Sequence, residues 1–433
     1  MTSNGTSHNA QVDEPVQANA RAVHAPAGGR VLMLVENNSY PQDPRVRHEA
    51  RALTDAGYQV TVISPAGPGQ RWRETIDGVH VYRYPAPPQA SGFMGYLFEY
   101  GYSTMALFIL SLLVSLREGF DVIHAANPPD TLVLVAAPFK LLGKRFVYDH
   151  HDLVPELYCT MYPDRGNRLM PRVLLMLEKL SLRCADHVIA TNQSYKGMEI
   201  ERGGVPAERI TIVRNGPELT GRQLPESDPD LRLRGKTIIG YMGVMGFQDG
   251  VDYLLRALQH LVHGLGRTDV FCVLIGGLGS AQPSLKRLAT QLGLDDYVWF
   301  TGWVSDADLL RYIASADICV DPDPSNPFTD RSTMTKMAEY MALAKPIVAF
   351  DLTEHRRTAQ AAAIYVRPND ELEFARALAQ LADDPERRRT MGALARRRVE
   401  TELAWHYSAR NLVEAYRRLF PGTCERSEKH VSD

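Results

Sequence analysis

The 433-residue chain lacks most of the signals that fix a protein's chemistry at once. Its five cysteines, Cys159, Cys184, Cys272, Cys319 and Cys424, are scattered, and no two have metal-ligand or redox spacing. They read as reduced thiols of a cytoplasmic protein. The loop after the first strand pattern, Asn37 to Arg45, has no G-x-G-x-x-G, which argues against NAD or FAD. No G-x-S-x-G accompanies the histidines, so a Ser-His-Asp triad is not indicated. A formal net charge of −3 leaves no basic excess for nucleic acid, and the clusters Arg387 to Arg389 and Arg396 to Arg398 sit among acids in a helical pattern, which reads as a solvated face. One uncharged apolar run, Tyr102 to Leu116, has 15 residues, short of the ~20 a spanning helix needs. Bounded by Glu99 and Arg117, it is expected to be a buried helix, with an interfacial helix that leans on lipid as the alternative. The first 29 residues show neither a signal-peptide core nor an arginine-rich amphipathic pattern and are expected to be a disordered tail.

What is present is a regular alternation. Val31 to Val35 reads as a buried strand, Arg45 to Ala56 as a helix stopped by Gly57, and Val60 to Ile63 as the next strand. Strand patterns recur at 79–84, 121–125, 145–149, 186–191 and 210–216. After a proline- and charge-rich stretch without periodicity they restart at 237–241, 270–275, 297–301, 318–320, 347–350 and 363–366. Helices are expected at 251–265, 371–381 and, as one continuous element, 387–420. This predicts two Rossmann-like, parallel-sheet α/β domains facing across a cleft, with a tail at 1–29, domains at 30–216 and 237–400, a linker at 217–236, a helix at 401–420 able to cross back to the first domain, and a tail at 421–433.

The stretch Asp330 to Asp351 carries the densest chemistry. Ser332 and Thr333 can cap a helix over Met334 to Leu343, whose N-terminus would attract phosphate. Lys336 and Glu339, three apart, share a face of that helix. Pro346 to Phe350 then reads as a buried strand, and ligands in parallel sheets sit at such ends. Read without any relative, the same residues also make an ordinary surface helix.

This stretch resembles the C-terminal signature of glycosyltransferase family 4. Glu339-Tyr340-Met341-Ala342 and Lys345-Pro346-Ile347-Val348 match that family's "EAMA-G-PV" helix and strand. Val46 to Leu53, Val213-Arg214-Asn215-Gly216, Phe300-Thr301-Gly302 and Ala316 to Pro322 follow in the family's order, so the resemblance covers about Arg30 to Phe420. It implies a GT-B fold and a retaining, metal-independent transfer of sugar from a nucleotide-sugar donor to a hydroxyl acceptor on a polysaccharide, lipid-linked glycan or small molecule. No cofactor is implied, and peripheral contact with the inner membrane face is compatible with it. Glu339 would take the ribose hydroxyls. Lys336, with the N–H groups near Ser332 and Thr333, would hold the diphosphate. Arg331 occupies the usual position of the family's first glutamate, and Asp330 beside it would substitute for that glutamate and hold hydroxyls of the transferred sugar, or else cap the helix. His151, with His150 beside it, would face the donor sugar. Gly243 and Gly246 would let the backbone approach the nucleotide, although their loop, Met242 to Gly250, lacks the family's usual arginine and lysine. Asn37, Asp43, Arg45 and His124 fall on the acceptor side, and Asn215 and Gly216 at the hinge. Glu354 and Arg356, just beyond the strand, read as solvated loop residues, with a place in the cleft lining as the alternative. Two other readings fit the fold: a nucleotide-sugar 2-epimerase and a non-catalytic nucleotide-sugar-binding subunit.

Overall fold

The computed structural model describes residues 29–87, 92–162, 167–219, 225–234, 236–277, 279 and 281–420. Of the expected tails, residues 1–28 and 421–433 lie outside the described residues, as do 220–224 and 235 of the expected linker. The first domain is an eight-stranded sheet built from β1 (Arg30–Leu34), β2 (Gln59–Pro65), β3 (Arg73–Ile76), β4 (Val79–Tyr84), β5 (Val122–Ala126), β6 (Arg145–His150), β7 (His187–Ala190) and β8 (Ile210–Ile212). Its order is β3-β4-β2-β1-β5-β6-β7-β8. The second is a six-stranded sheet of β9 (Thr237–Gly243), β10 (Val270–Gly276), β11 (Val298–Gly302), β12 (Ile318–Asp321), β13 (Ile347–Phe350) and β14 (Ala363–Val366), ordered β11-β10-β9-β12-β13-β14. Both sheets are covered on both faces, which is why strands such as Val31 to Leu34 are continuous apolar runs with no side chain more than 1% exposed.

Four expectations need correction. The first sheet is not wholly parallel: β3 runs antiparallel to β4 at the edge. The cause is local, because Asp77 and Gly78 both take positive φ (49° and 82°) and close a tight hairpin whose polar outer strand has little apolar pattern to betray it. The linker is not featureless, since Asp228 caps a short helix, Pro229–Leu233, and Leu231 anchors it in the second domain's core. The continuous closing helix is two helices, Pro385–Arg398 and Trp405–Leu419, separated by a π turn and an extended Ala404. At this break the chain crosses back to the first domain beside the outgoing crossover. A Cβ at Gly216 would lie 2.0 Å from the Leu403 carbonyl oxygen, so only glycine lets the two crossings touch. Nor are the arginine clusters merely solvated: Arg396 and Arg398 donate to the Ala342 and Thr358 carbonyls at the ends of neighbouring helices.

The apolar run departs furthest from its expectation. It lies in the helix Gly92–Arg117, which packs on β2, β4 and the helix Val133–Leu141. By length and composition its portion Gly95–Arg117 could cross a membrane, yet only 22% of its most apolar window is buried. The side facing the sheet carries Ser103, Leu107, Ser111 and Val114 at helical spacing, and Leu97, Phe98, Met105, Ile109 and Leu116 face outward.

Candidate active site

The first wall of the interdomain cleft is set by the end of β6. Successive side chains of a strand alternate, so Asp149 and His151 turn to one side and His150 to the other. Asp149 receives Arg45 in a two-pronged pair, Nη2 to Oδ1 at 2.5 Å and Nε to Oδ2 at 2.8 Å. Arg45 also reaches Glu49 (3.1 Å), the Val213 carbonyl (3.1 Å) and Asn215 Oδ1 (2.7 Å). Beneath it His124 lies 3.2 Å from Glu49 and bonds through Nδ1 to the Tyr416 hydroxyl at 2.8 Å. His151 turns Nδ1 to Asp149 Oδ2 (3.2 Å), which leaves Nε2 to meet a ligand. Burial opposes charge on His151, but the Asp149 carboxylate more than offsets it and its pKa is raised. The Arg45 charge acts the other way on Asp149, holding it well below the carboxylate range despite its burial.

Two deeper histidines behave alike. Burial opposes their charge, but Asp149 and Glu49 raise His124 to about 9, and Glu199, 3.1 Å from His150 Nδ1, raises His150 to about 9. Both folded values exceed the unfolded value of ~6.5, so their stabilisation is complete below that pH and is lost as pH rises through about 9. Unfolding free energy is expected to fall between pH 6.5 and 9.5 by on the order of 3 kcal/mol per histidine, and His124→Gln to remove about half of the slope. Urea titrations across this range measure it, and a flat profile would refute the paired, charged state. His187, pushed down to about 4 chiefly by burial, affects only the acid side.

The second wall is the N-terminal turn of the helix Thr335–Ala342. Contrary to expectation, Ser332 and Thr333 do not cap it: Met334 is the N-cap and offers no side-chain acceptor. Ser332 instead donates to the Phe328 carbonyl and meets Tyr195 Oη (3.2 Å), and Thr333 receives Asn192 Nδ2 (2.9 Å), both across the cleft. First-turn N–H groups without a side-chain cap are open to an anion. Lys336 is nearly buried, with Nζ 2.6 Å from Asp323 and 3.2 Å from Asp321 and its charge over the Tyr241 ring at 5.1 Å. Burial pushes the carboxyls up; Lys336 overcomes this at Asp321, whose pKa is lowered, whereas Asp323, beside Asp321, is raised well above the usual range. Lys336 thus favours the charged form of Asp321, while burial and the neighbouring Asp321 carboxylate disfavour charge on Asp323. His355 Nε2 lies 3.5 Å from Asp321. Asp321, Asp323 and His355, like Glu49, His124 and Asp149, are spaced closely enough to hold an ion, and each set has a resident side-chain cation, Lys336 or Arg45.

Between the walls is a cavity of about 580 Å³. Of the sequence-predicted residues, His151, Asn215, Gly243, Ser332, Thr333 and Lys336 line it. Arg45 and His124 lie beneath its floor, while His150 faces Glu199 on the opposite side of β6. Asp43 caps the helix Pro44–Asp55, Asn37 is exposed after β1, and the Gly246 N–H donates to Asp249 within its loop. Asp330 receives Ser325 Oγ (3.2 Å) in the preceding turn and is outside the cavity lining. Glu339 is half-buried one turn beyond Lys336 and is likewise outside the lining. Glu354 is no solvated loop residue: it is fully buried and accepts from Ser194 (2.7 Å) in the first domain and from Arg357 (2.6 Å). Arg356 is exposed and pairs with Asp351. Sequence reasoning missed Thr191, Asn192, Tyr195, Asp321 and Asp323. A tract Asn192 to Tyr195 opening a helix after a strand end was the available sign for the cross-cleft contacts.

A two-sheet protein with a cleft at the carboxyl ends of both sets of strands is of the GT-B class. Its two halves match known families separately: residues 42–216 the glycosyl transferase 4-like domain, and 236–384 the glycosyl transferases group 1. The chain belongs to these glycosyltransferases. It is 25% identical over 330 residues to an alpha-D-kanosaminyltransferase of Streptomyces kanamyceticus, covering 72% of this chain and 82% of the relative. Among solved structures, sucrose-phosphate synthase from Thermosynechococcus elongatus has a TM-score of 0.74 at 21% identity, covering 91% of this chain and 99% of that one. Anabaena HepE, solved in complex with UDP-glucose, has a TM-score of 0.65 at 18% identity, covering 89% and 98%.

Proposed function

We propose that the protein transfers a sugar, with retention at the anomeric carbon, from a nucleoside-diphosphate sugar to a hydroxyl acceptor, at the cytoplasmic side of the cell. The observation that carries this reading is the pairing of a raised-pKa histidine, His151, with the open N-terminus of the helix Thr335–Ala342 across one cavity. In the reaction the bond from the anomeric carbon to the diphosphate breaks, and one to the acceptor oxygen forms on the same face. The acceptor proton leaves with the departing phosphate oxygen. The first-turn N–H groups and His151 Nε2 meet the charge that develops on the leaving group, in a site that closure of the two halves keeps dry. Glu339 is assigned to the ribose hydroxyls. Lys336 sets the potential of this wall rather than acting as a free cation, because Asp321 and Asp323 already hold it. The same ammonium fills the place a metal would take, so a metal-independent reaction is proposed. The HepE complex with UDP-glucose supports a nucleotide sugar as the donor class.

The test is a thermal-shift series with UDP-, GDP-, dTDP- and ADP-sugars, since a ligand of the folded state raises Tm by mass action. One nucleotide class is expected to give a clear shift that Glu339→Ala diminishes. His151→Ala is expected to preserve the shift and lower kcat by about 10²-fold or more. No shift with any donor would reject the assignment.

A further inference from the structure

We infer that the first domain carries an apolar groove for the hydrocarbon chain of a lipid-linked acceptor, loaded from an anionic membrane against which the surrounding helices lie. This rests on the proposed transfer and names its acceptor class. The groove, about 670 Å³, lies between the helices Gly92–Arg117, Val133–Leu141, Val154–Met161 and Met170–Cys184. That volume is ample for a ligand chain. It is open, since Leu97, Met105, Leu134 and Val173 line it while remaining 43–59% exposed.

Three observations choose the occupant. The first is the inverted helix: Ser103 and Ser111 face the protein, and Phe98, Ile109 and Leu116 face out, with Leu141 and Leu142 exposed at the C-terminal end of the next helix. A contiguous apolar surface of this kind marks an interaction face. The second is charge. The helix Met170–Cys184 presents Arg172 and Arg183 beside exposed Met176 and Leu180, with Arg168 just before it, and its one acidic residue, Glu178, is turned inward onto Arg202. A basic-apolar face on a chain of net charge −3 fits anionic headgroups. The third is continuity with the cleft. Asp130 lines the groove and Asp152 lines the cleft, and one side chain joins them: Asn127 Nδ2 donates to Asp130 Oδ1 (3.1 Å) and to the Asp152 carbonyl (2.8 Å). Asn127 Oδ1 in turn accepts from the His151 and Asp152 N–H groups (2.8 and 3.1 Å). The groove and the cleft thus share a wall at the buried Asn127, so a chain in the groove would direct its sugar or phosphate head toward the His151 side of that wall.

The experiment floats the full-length protein with phosphatidylcholine vesicles and with vesicles containing 3 parts in ~10 phosphatidylglycerol, a composition giving the negative surface such faces recognise. Both contain a phosphatidylcholine with a diazirine in its acyl chain. Binding is expected on the anionic vesicles, weakened by salt and by about fivefold for each of Arg172→Gln and Arg183→Gln. Photolysis is expected to label Tyr100, Leu157 or Met161 inside the groove. Met105→Asp combined with Ile109→Asp is expected to abolish flotation while leaving the melting temperature and the donor shift intact, which separates this inference from the transfer itself. Absence of flotation overturns the inference. So does flotation with labels confined to the outer face, or a dimer in sedimentation that Met105→Asp dissociates, because a second copy would then cover the surface. Failure of the donor shift alone would overturn the proposed transfer and leave the membrane face standing.

Discussion

Replacing Lys336 with methionine is expected to cost about 3–5 kcal/mol of stability at neutral pH, the usual consequence of removing one partner from a buried ion pair. The side chain lies between Asp323 at 2.6 Å and Asp321 at 3.2 Å, and both acids are at most 1% exposed. Methionine fills much of the lysine stem's volume, so the loss reports charge rather than a cavity. In the native protein Asp321 is held below its ordinary value, and its contribution is present above the unfolded value of ~3.9 and lost as pH falls. Without Lys336 the sign reverses. Burial then raises both carboxyls, and the deficit shrinks as acid neutralises them. Urea unfolding of Lys336→Met at pH 7 and pH 5 should show that recovery. Adding Asp321→Asn should restore part of the stability at pH 7. A deficit independent of pH and unrelieved by the second substitution would mean that the lysine serves packing alone.

Arg45→Met is expected to be comparably severe, at about 3 kcal/mol or more, and to slow turnover as well. The native cluster balances Arg45 and protonated His124 against Asp149 and Glu49, all with no more than 5% side-chain exposure. Removing the arginine leaves one negative charge in excess, so His124 will hold its proton more tightly and the alkaline loss of stability will shift to higher pH. His151 feels the change through Asp149, and the Val213 carbonyl and Asn215 at the crossover lose a shared donor. Arg45 is thus a positioning residue. The informative readout is kcat with saturating donor: a fall in kcat at unchanged donor KM is the expected split, and an unchanged kcat would show that the cluster only holds the fold.

The fold was legible because buried parallel strands are long apolar runs punctuated by glycine and by helical spacing, and thirteen of these runs stood out. The edge strand Arg73–Ile76 did not, because one of its faces is solvent and its pattern is polar. Residues of the candidate site were legible where chemistry and position coincide in a short stretch, as at His151 and Ser332 to Lys336. Spatial partnership was not. Nothing local says that Lys336 is neutralised by acids 13 and 15 positions earlier, or that Ser332 faces Tyr195 rather than its own helix. The burial of the apolar run was misjudged for a related reason. Hydropathy reports that a helix is greasy, and it leaves open which side the rest of the chain will cover.

The last described helix has a consequence for biosynthesis. Trp405, Leu412, Tyr416 and Leu419 belong to the same apolar cluster as β1 and β2, and Tyr416 supplies the hydroxyl that meets His124. The amino-terminal half therefore leaves the ribosome with one side of its sheet only partly covered, by the helix Pro44–Asp55, and with a buried histidine lacking its partner. It can close only after nearly all of the chain has been made, so the two lobes mature together even though either, judged by its strands, has the outline of an independent domain.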